Sequence, residues 1–81
     1  MVPAGAGTSH SEMDLRRRVG RNVRRLRERA RLSQEEAADR AKVHVTYLSG
    51  IENGHRNPTL DVIGRLASAL SVEPAELLES S

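Results

Sequence analysis

The chain has 81 residues, no cysteine, one aromatic side chain and a formal net charge of +2. That length supports one domain with a modest core and leaves no room for a separate catalytic cleft, and the absence of cysteine removes both a disulfide framework and a thiolate zinc site. The opening "MVPAGAGTSHSEMD" lacks an apolar h-region and no apolar run approaches a membrane span, so the expected location is the cytoplasm, with no membrane partner.

Charge is unevenly spread. Between His10 and Arg31 lie nine arginines against Glu12, Asp14 and Glu28, whereas from Asn57 onward Arg65 faces Asp61, Glu73, Glu76 and Glu79. A basic end and an acidic end fit a footprint for a polyanion on one side, and equally a solvated arginine face.

Residues 1–13 mix Gly, Ala, Ser, Thr and Pro with little to bury and read as a disordered arm, leaving 14–81 as a single domain. In "DLRRRVGRNVRRLRERA" the set Leu15, Val19, Val23, Leu26 and Ala30 keeps helical spacing behind Asp14 as N-cap. In "SQEEAADRA", Ser33 and Glu36 form an S-x-x-E capping box, and Ala37, Ala38 and Ala41 give a small-residue inner face. After a tight link, Leu48 and Ile51 mark a second short helix ending near Asn53 and Gly54. Pro58 and Thr59 introduce a fourth, with Leu60, Ile63, Leu66, Ala67 and Leu70 in period, and Pro74 opens a fifth carrying Leu77 and Leu78. The expected fold class is all-α, with five helices and no strand.

Two short helices joined by a turn of about three residues form a helix-turn-helix, whose second helix fits the major groove. The N-terminal amides of the first would place Gln34 beside a phosphate, unless Gln34 is an ordinary exposed residue. With Leu48 and Ile51 facing the core, Thr46, Ser49, Gly50 and Asn53 share the opposite face, which is polar, small and smooth. Gly50 leaves that face without bulk; glycine there costs roughly 1 kcal/mol relative to alanine.

From about Leu15 to Leu78, through "LRERARLSQEEAADRA", "VHVTYLSGIENGHRNPTLDVIGRLASAL" and "VEPAELL", the sequence resembles the XRE, or Cro/lambda-repressor-like, helix-turn-helix family. The resemblance implies a five-helix lambda-repressor-like DNA-binding domain. It also implies that the helix from Val45 reads base edges, while residues around Gln34 and the turn after the reading helix hold phosphates. By position the readers are Val45, Thr46, Tyr47, Ser49 and Gly50, with Arg56 and Asn57 close to the duplex. "TYLSGIENGHRNPTL" looks most like the controller proteins of restriction–modification systems, which are free-standing and dimeric; stand-alone repressors carry similar strings.

Three positions depart from the family pattern. Lys42 stands where glycine is favoured, at a cost of about 1–2 kcal/mol if the backbone is left-handed, which contact with a phosphate would offset. His44 replaces a capping Ser or Thr, and a poor cap costs roughly 1 kcal/mol. Val45 replaces a polar residue and suits a thymine methyl.

Other readings stand beside these. Tyr47 fits a dual role, its ring in the core edge and its hydroxyl near the DNA backbone. Arg56 is either a plain turn residue or, with Gly54 and Pro58 fixing its turn, a reader of guanine or phosphate. His10, His44 and His55 do not converge at metal-ligand spacing, so neither metal nor cofactor is expected. Glu35 and Glu36 diverge on their helix, Ser33 is committed to capping, and no glycine-rich phosphate loop follows a strand, so no enzymatic activity is expected.

The expected function is a sequence-specific transcription regulator that binds double-stranded DNA as a homodimer on a palindromic operator and controls its own promoter. Leu70, Val72, Leu77 and Leu78 are the expected dimer surface, the alternative being that they complete the monomer core. Because the chain ends after "ELLESS", control by protein concentration is expected rather than by a ligand-sensing domain. The competing functions are an antitoxin gripping a toxin protein, and an interaction module contacting RNA polymerase without reading DNA.

Overall fold

The computed structural model describes residues 8–80. Four α-helices follow in order, α1 (Thr8–Arg29), α2 (Gln34–Ala41), α3 (Val45–Glu52) and α4 (Leu60–Ala69), and a 3₁₀ helix, Pro74–Leu78, closes the chain. No strand occurs among the described residues.

Two boundaries differ from expectation. α1 starts at Thr8, so Asp14 is an exposed residue inside the helix rather than its N-cap. The last Gly or Pro before Asp14 is Gly7, and nothing in "TSHSEM" breaks a helix. Of the arm expected over 1–13, residues 8–13 therefore continue α1, and 1–7 lie outside the described residues. The fifth helix is a 3₁₀ segment of five residues instead of an α-helix. Its carbonyl end is tied sideways: the buried Asn22 amide of α1 donates to Leu77 O and Glu79 O, both at 2.9 Å.

All four α-helices stop in the same way. The residues Arg31, Lys42, Gly54 and Ser71 are left-handed (φ 60, 59, 76 and 58°). Each donates its N–H to the carbonyl three positions back, and the following residue, Leu32, Val43, His55 or Val72, donates to the carbonyl five positions back at 2.8–3.1 Å. This is the Schellman arrangement, and its usual apolar follower is present except at His55, which is exposed. Three of the four left-handed positions lack glycine. Replacing Ser71 by glycine is therefore expected to stabilise the fold by about 0.5–1 kcal/mol, read as a rise of a few degrees in the thermal midpoint.

The core is built from the inner stripes that the helical period marks. Val19, Val23 and Leu26 of α1 meet Ala37, Ala38 and Ala41 of α2, Leu48 and Ile51 of α3, and Ile63, Leu66 and Ala67 of α4. Val62 joins them from outside the expected set. Three members of the expected stripes stay outside: Ala30 is exposed, and Leu15 and Leu60 keep 44 % and 86 % of their surface. The small face of α2 allows close approach, and a still closer one occurs at Gly20. A Cβ there would run into Ile51 O and stand 2.8 Å from Glu52 O, so α1 and α3 cross with backbone against backbone.

Candidate nucleic-acid interface

The polar frame behind the interface starts on α1. Arg27 donates from Nε to Glu52 Oε2 at 2.6 Å and from Nη2 to Oε1 at 3.0 Å, while its Nη1 reaches Leu32 O at 2.9 Å. The Glu52 side chain keeps only 2 % of its surface and that of Arg27 11 %. The hydrogen bond to Glu52 raises the Arg27 pKa above its ordinary value and keeps the guanidinium charged. Glu52 Oε1 also accepts from Gln34 Nε2 at 3.0 Å. One carboxylate thus joins α1, the first residue of α2 and the end of α3. Half-buried Gln34 is tethered, not the freely exposed residue its position alone allowed.

α2 begins as its capping box requires. Ser33 Oγ accepts from Glu36 N at 3.0 Å, and Ser33 N donates to Glu36 Oε1 at 2.8 Å. These bonds hold the Glu36 carboxyl below its usual range, the backbone N–H being the larger cause. At the other end Lys42 is left-handed, as the replaced glycine implied (φ 59°, ψ 44°), and exposed. Its carbonyl is braced weakly by Arg65 Nη1 at 3.4 Å.

α3 starts at His44, where the structure corrects the expected poor cap: His44 Nδ1 accepts from Thr46 N at 3.2 Å. Imidazole does the work of a hydroxyl because its Nδ1 carries a lone pair at a similar reach from the backbone. Leu48, Ile51 and Glu52 point inward, Thr46 and Asn53 are exposed, and Ser49 and Gly50 are half-buried. Val45 and Tyr47 are half-buried and pack against the core, which gives Tyr47 the ring placement expected of it.

The turn after α3 lies back over the helix. Gly54 N bonds Ile51 O at 3.0 Å and His55 N bonds Gly50 O at 2.8 Å. The exposed Arg56 guanidinium sits over the Tyr47 ring, 5.9 Å from its centroid. A Cβ on Gly54 would stand 3.2 Å from Arg17 Cγ, which places an α1 arginine against the end of the reading helix. Of the expected DNA-binding residues in this unit, Lys42, His44, Thr46, Asn53 and Arg56 are exposed, and Gln34, Val45, Tyr47, Ser49 and Gly50 are half-buried. Asn57 is exposed too, but borders an apolar groove shared with Leu15, Leu60 and Leu78.

The four expected dimer residues do not form one surface. Leu70 and Leu77 keep 5 % and 0 % exposure inside the protomer core, because the 3₁₀ helix folds back between α1 and α4, and Val72 packs half-buried against the same core. Only Leu78, at 44 %, remains outside. It joins Leu15, Val19, Pro58, Leu60 and Ile63 around a groove of about 430 Å³.

Arg27, Glu52, Asn22 and Gly20 are absent from the sequence reading, although period marks three of them. Glu52 lies four residues after Leu48, Arg27 four after Val23, and Asn22 three after Val19. Among the described residues no group of three or more His, Asp or Glu side chains could hold a metal ion, and no helix is long and apolar enough to cross a membrane.

The helix-turn-helix family model matches residues 23–77. The uncharacterized HTH-type transcriptional regulator y4dJ of Sinorhizobium fredii is 46 % identical over 66 residues, covering 82 % of this chain and 86 % of the relative. Control protein C.BamHI of Bacillus amyloliquefaciens is 40 % identical over 67 residues, covering 82 % and 83 %. Among solved structures, the restriction–modification controller protein C.AhdI of Aeromonas hydrophila superposes with a TM-score of 0.75 at 40 % identity, covering 76 % of this chain and 94 % of that one. The chain belongs to the XRE-type helix-turn-helix family.

Proposed function

We propose that the protein is a sequence-specific, double-stranded DNA-binding transcription regulator that acts in the cytoplasm as a homodimer on a palindromic operator. It controls its own promoter, as a restriction–modification controller or a stand-alone repressor. The observation that carries this reading is the outer face of α3: small and polar through Thr46, Ser49 and Asn53, and flanked by Lys42 and Arg56. Such a face can enter the major groove, while basic groups at its rim meet phosphates. Similarity to control protein C.BamHI over most of both chains supports the controller reading.

One reading helix touches few base pairs, so a second copy is needed for affinity. The apolar groove around Leu15, Leu60 and Leu78 suits that copy. Leu60 opens α4 directly after the loop carrying Arg56 and Asn57, so a copy seated there lies next to the turn that ends α3. Replacing Leu60 by lysine is expected to turn the dimer into a monomer in analytical ultracentrifugation, with the monomer still folded by circular dichroism, since Leu60 is 86 % exposed in the protomer. A persisting dimer would move the interface elsewhere.

The function is tested by incubating the protein with a random-sequence duplex library and sequencing what it retains. Enrichment of a palindromic motif with half-sites about one helical turn apart is the expected result. Retention without any motif would contradict sequence-specific binding.

A further inference from the structure

We propose that Gly50 serves as a seat for the Arg56 side chain, and that Gly50 and Tyr47 together are positioning residues that hold Arg56 ready for DNA. This rests on the DNA-binding reading above and reassigns Gly50 within it. Three observations converge. First, Gly50 has no conformational need to be glycine: it lies inside α3, and the left-handed glycine of this region is Gly54. Second, the space above Gly50 is already occupied. A Cβ there would stand 2.6 Å from Arg56 Cγ, 3.1 Å from Nε and 3.4 Å from Cδ. Third, the far end of the same side chain lies over the Tyr47 ring, and the bond from His55 N to Gly50 O fixes the chain just before Arg56.

Gly64 supplies an internal comparison. It is also a glycine within a helix, but a Cβ on it would meet nothing within 4 Å. Both positions bear the same helix cost; only at Gly50 does a neighbour use the vacancy. The bond geometry makes displacement unavoidable on substitution, because the closest atom is Cγ, near the root of the Arg56 side chain, and rotation of the outer bonds alone cannot clear it. A long, exposed arginine otherwise loses rotamer freedom when it binds, and a seat that restricts it beforehand lowers that loss.

The test uses the duplex that the wild-type protein enriches from the random library, with Gly50→Ala, Gly64→Ala, Arg56→Ala and the Gly50→Ala/Arg56→Ala pair. Gly50→Ala and Gly64→Ala are both expected to melt no lower than wild type, since each replaces glycine in a helix. Gly50→Ala is expected to bind about threefold to tenfold more weakly, from the freedom returned to one long side chain. Gly64→Ala is expected to bind as wild type, and Gly50→Ala to add no further loss once Arg56 is alanine. In the free wild-type protein, NMR is expected to show cross-relaxation between the Gly50 α protons and the Arg56 γ protons. Unchanged affinity in Gly50→Ala, an equal loss in the Arg56→Ala background, or no Gly50–Arg56 cross-relaxation in wild type would each overturn the seat while leaving DNA binding in place. Failure of wild type to enrich any duplex would overturn the DNA-binding reading and the seat with it.

Discussion

Replacing Glu52 by alanine is expected to destabilise the fold by about 3–5 kcal/mol, because it strands a buried guanidinium without its counter-charge. Arg27 would keep its bond to Leu32 O but lose two bonds to the carboxylate, and Gln34 would lose its tether. Against a total stability of about 5–15 kcal/mol for a small domain, this loss leaves a substantial unfolded population at moderate temperature. Urea unfolding followed by circular dichroism would measure it. The Arg24–Glu28 pair provides the contrast. Both side chains are more than half exposed at an i, i+4 spacing, so Glu28→Ala is expected to change stability by no more than about 0.5 kcal/mol. Equal costs at Glu52 and Glu28 would refute the view that burial makes the difference.

Replacing Gly50 by glutamate is expected to weaken binding to the enriched duplex by about two orders of magnitude or more, since like charges brought together across an interface cost several kcal/mol. Two effects add. The new side chain must displace Arg56, whose Cγ would stand 2.6 Å from its Cβ, and its carboxylate arrives on the face proposed to enter the groove of a polyanion. The folded state is expected to survive, because the atoms in the way belong to an exposed, flexible arginine and not to the core. Electrophoretic mobility shift with wild type and variant, together with matching circular dichroism spectra, is the measurement. Binding within threefold of wild type would remove α3 from the contact surface.

Much of this architecture is legible in the sequence because its signals are local. The Ser33 box fixes the start of α2, the Leu48/Ile51 spacing fixes the inward side of α3, and Asn53–Gly54 fixes its end. The start of α1 is not, because the composition of "TSHSEM" suits an arm while containing no helix breaker. The 3₁₀ helix is also hidden: its form depends on Asn22, 55 and 57 positions earlier in the chain. Burial is where pattern reading failed most usefully. Leu70 and Leu77 read equally as dimer surface or as monomer core, and only the folding back of the last segment encloses them, whereas Leu60 keeps the helical period and faces outward.

In the candidate site, the exposed residues of α3 follow directly from period, but what holds them does not. Nine arginines crowd residues 16–31, and although helical period places Arg27 four residues after Val23, period alone does not show that an arginine is buried there. The signal lies in combination: Glu52 shares the inner face with Leu48 and Ile51, so it needs a cation from a helix packed on that face. The role of His44 is similarly conditional, since a histidine caps a helix only when its ring is turned back toward the following backbone, as it is toward Thr46 N.

On the proposed function, the outer face of α3, with the turns at either end, is the surface that meets DNA. Amide chemical-shift mapping of the full chain, titrated with the enriched duplex, tests it most directly. The expected result is that the largest shifts fall on Gln34, Lys42 to Ser49 and His55 to Asn57, with Ser68 and Ser71 unmoved. Shifts confined to the arginines of α1, with Thr46 and Ser49 unchanged at saturation, would contradict it.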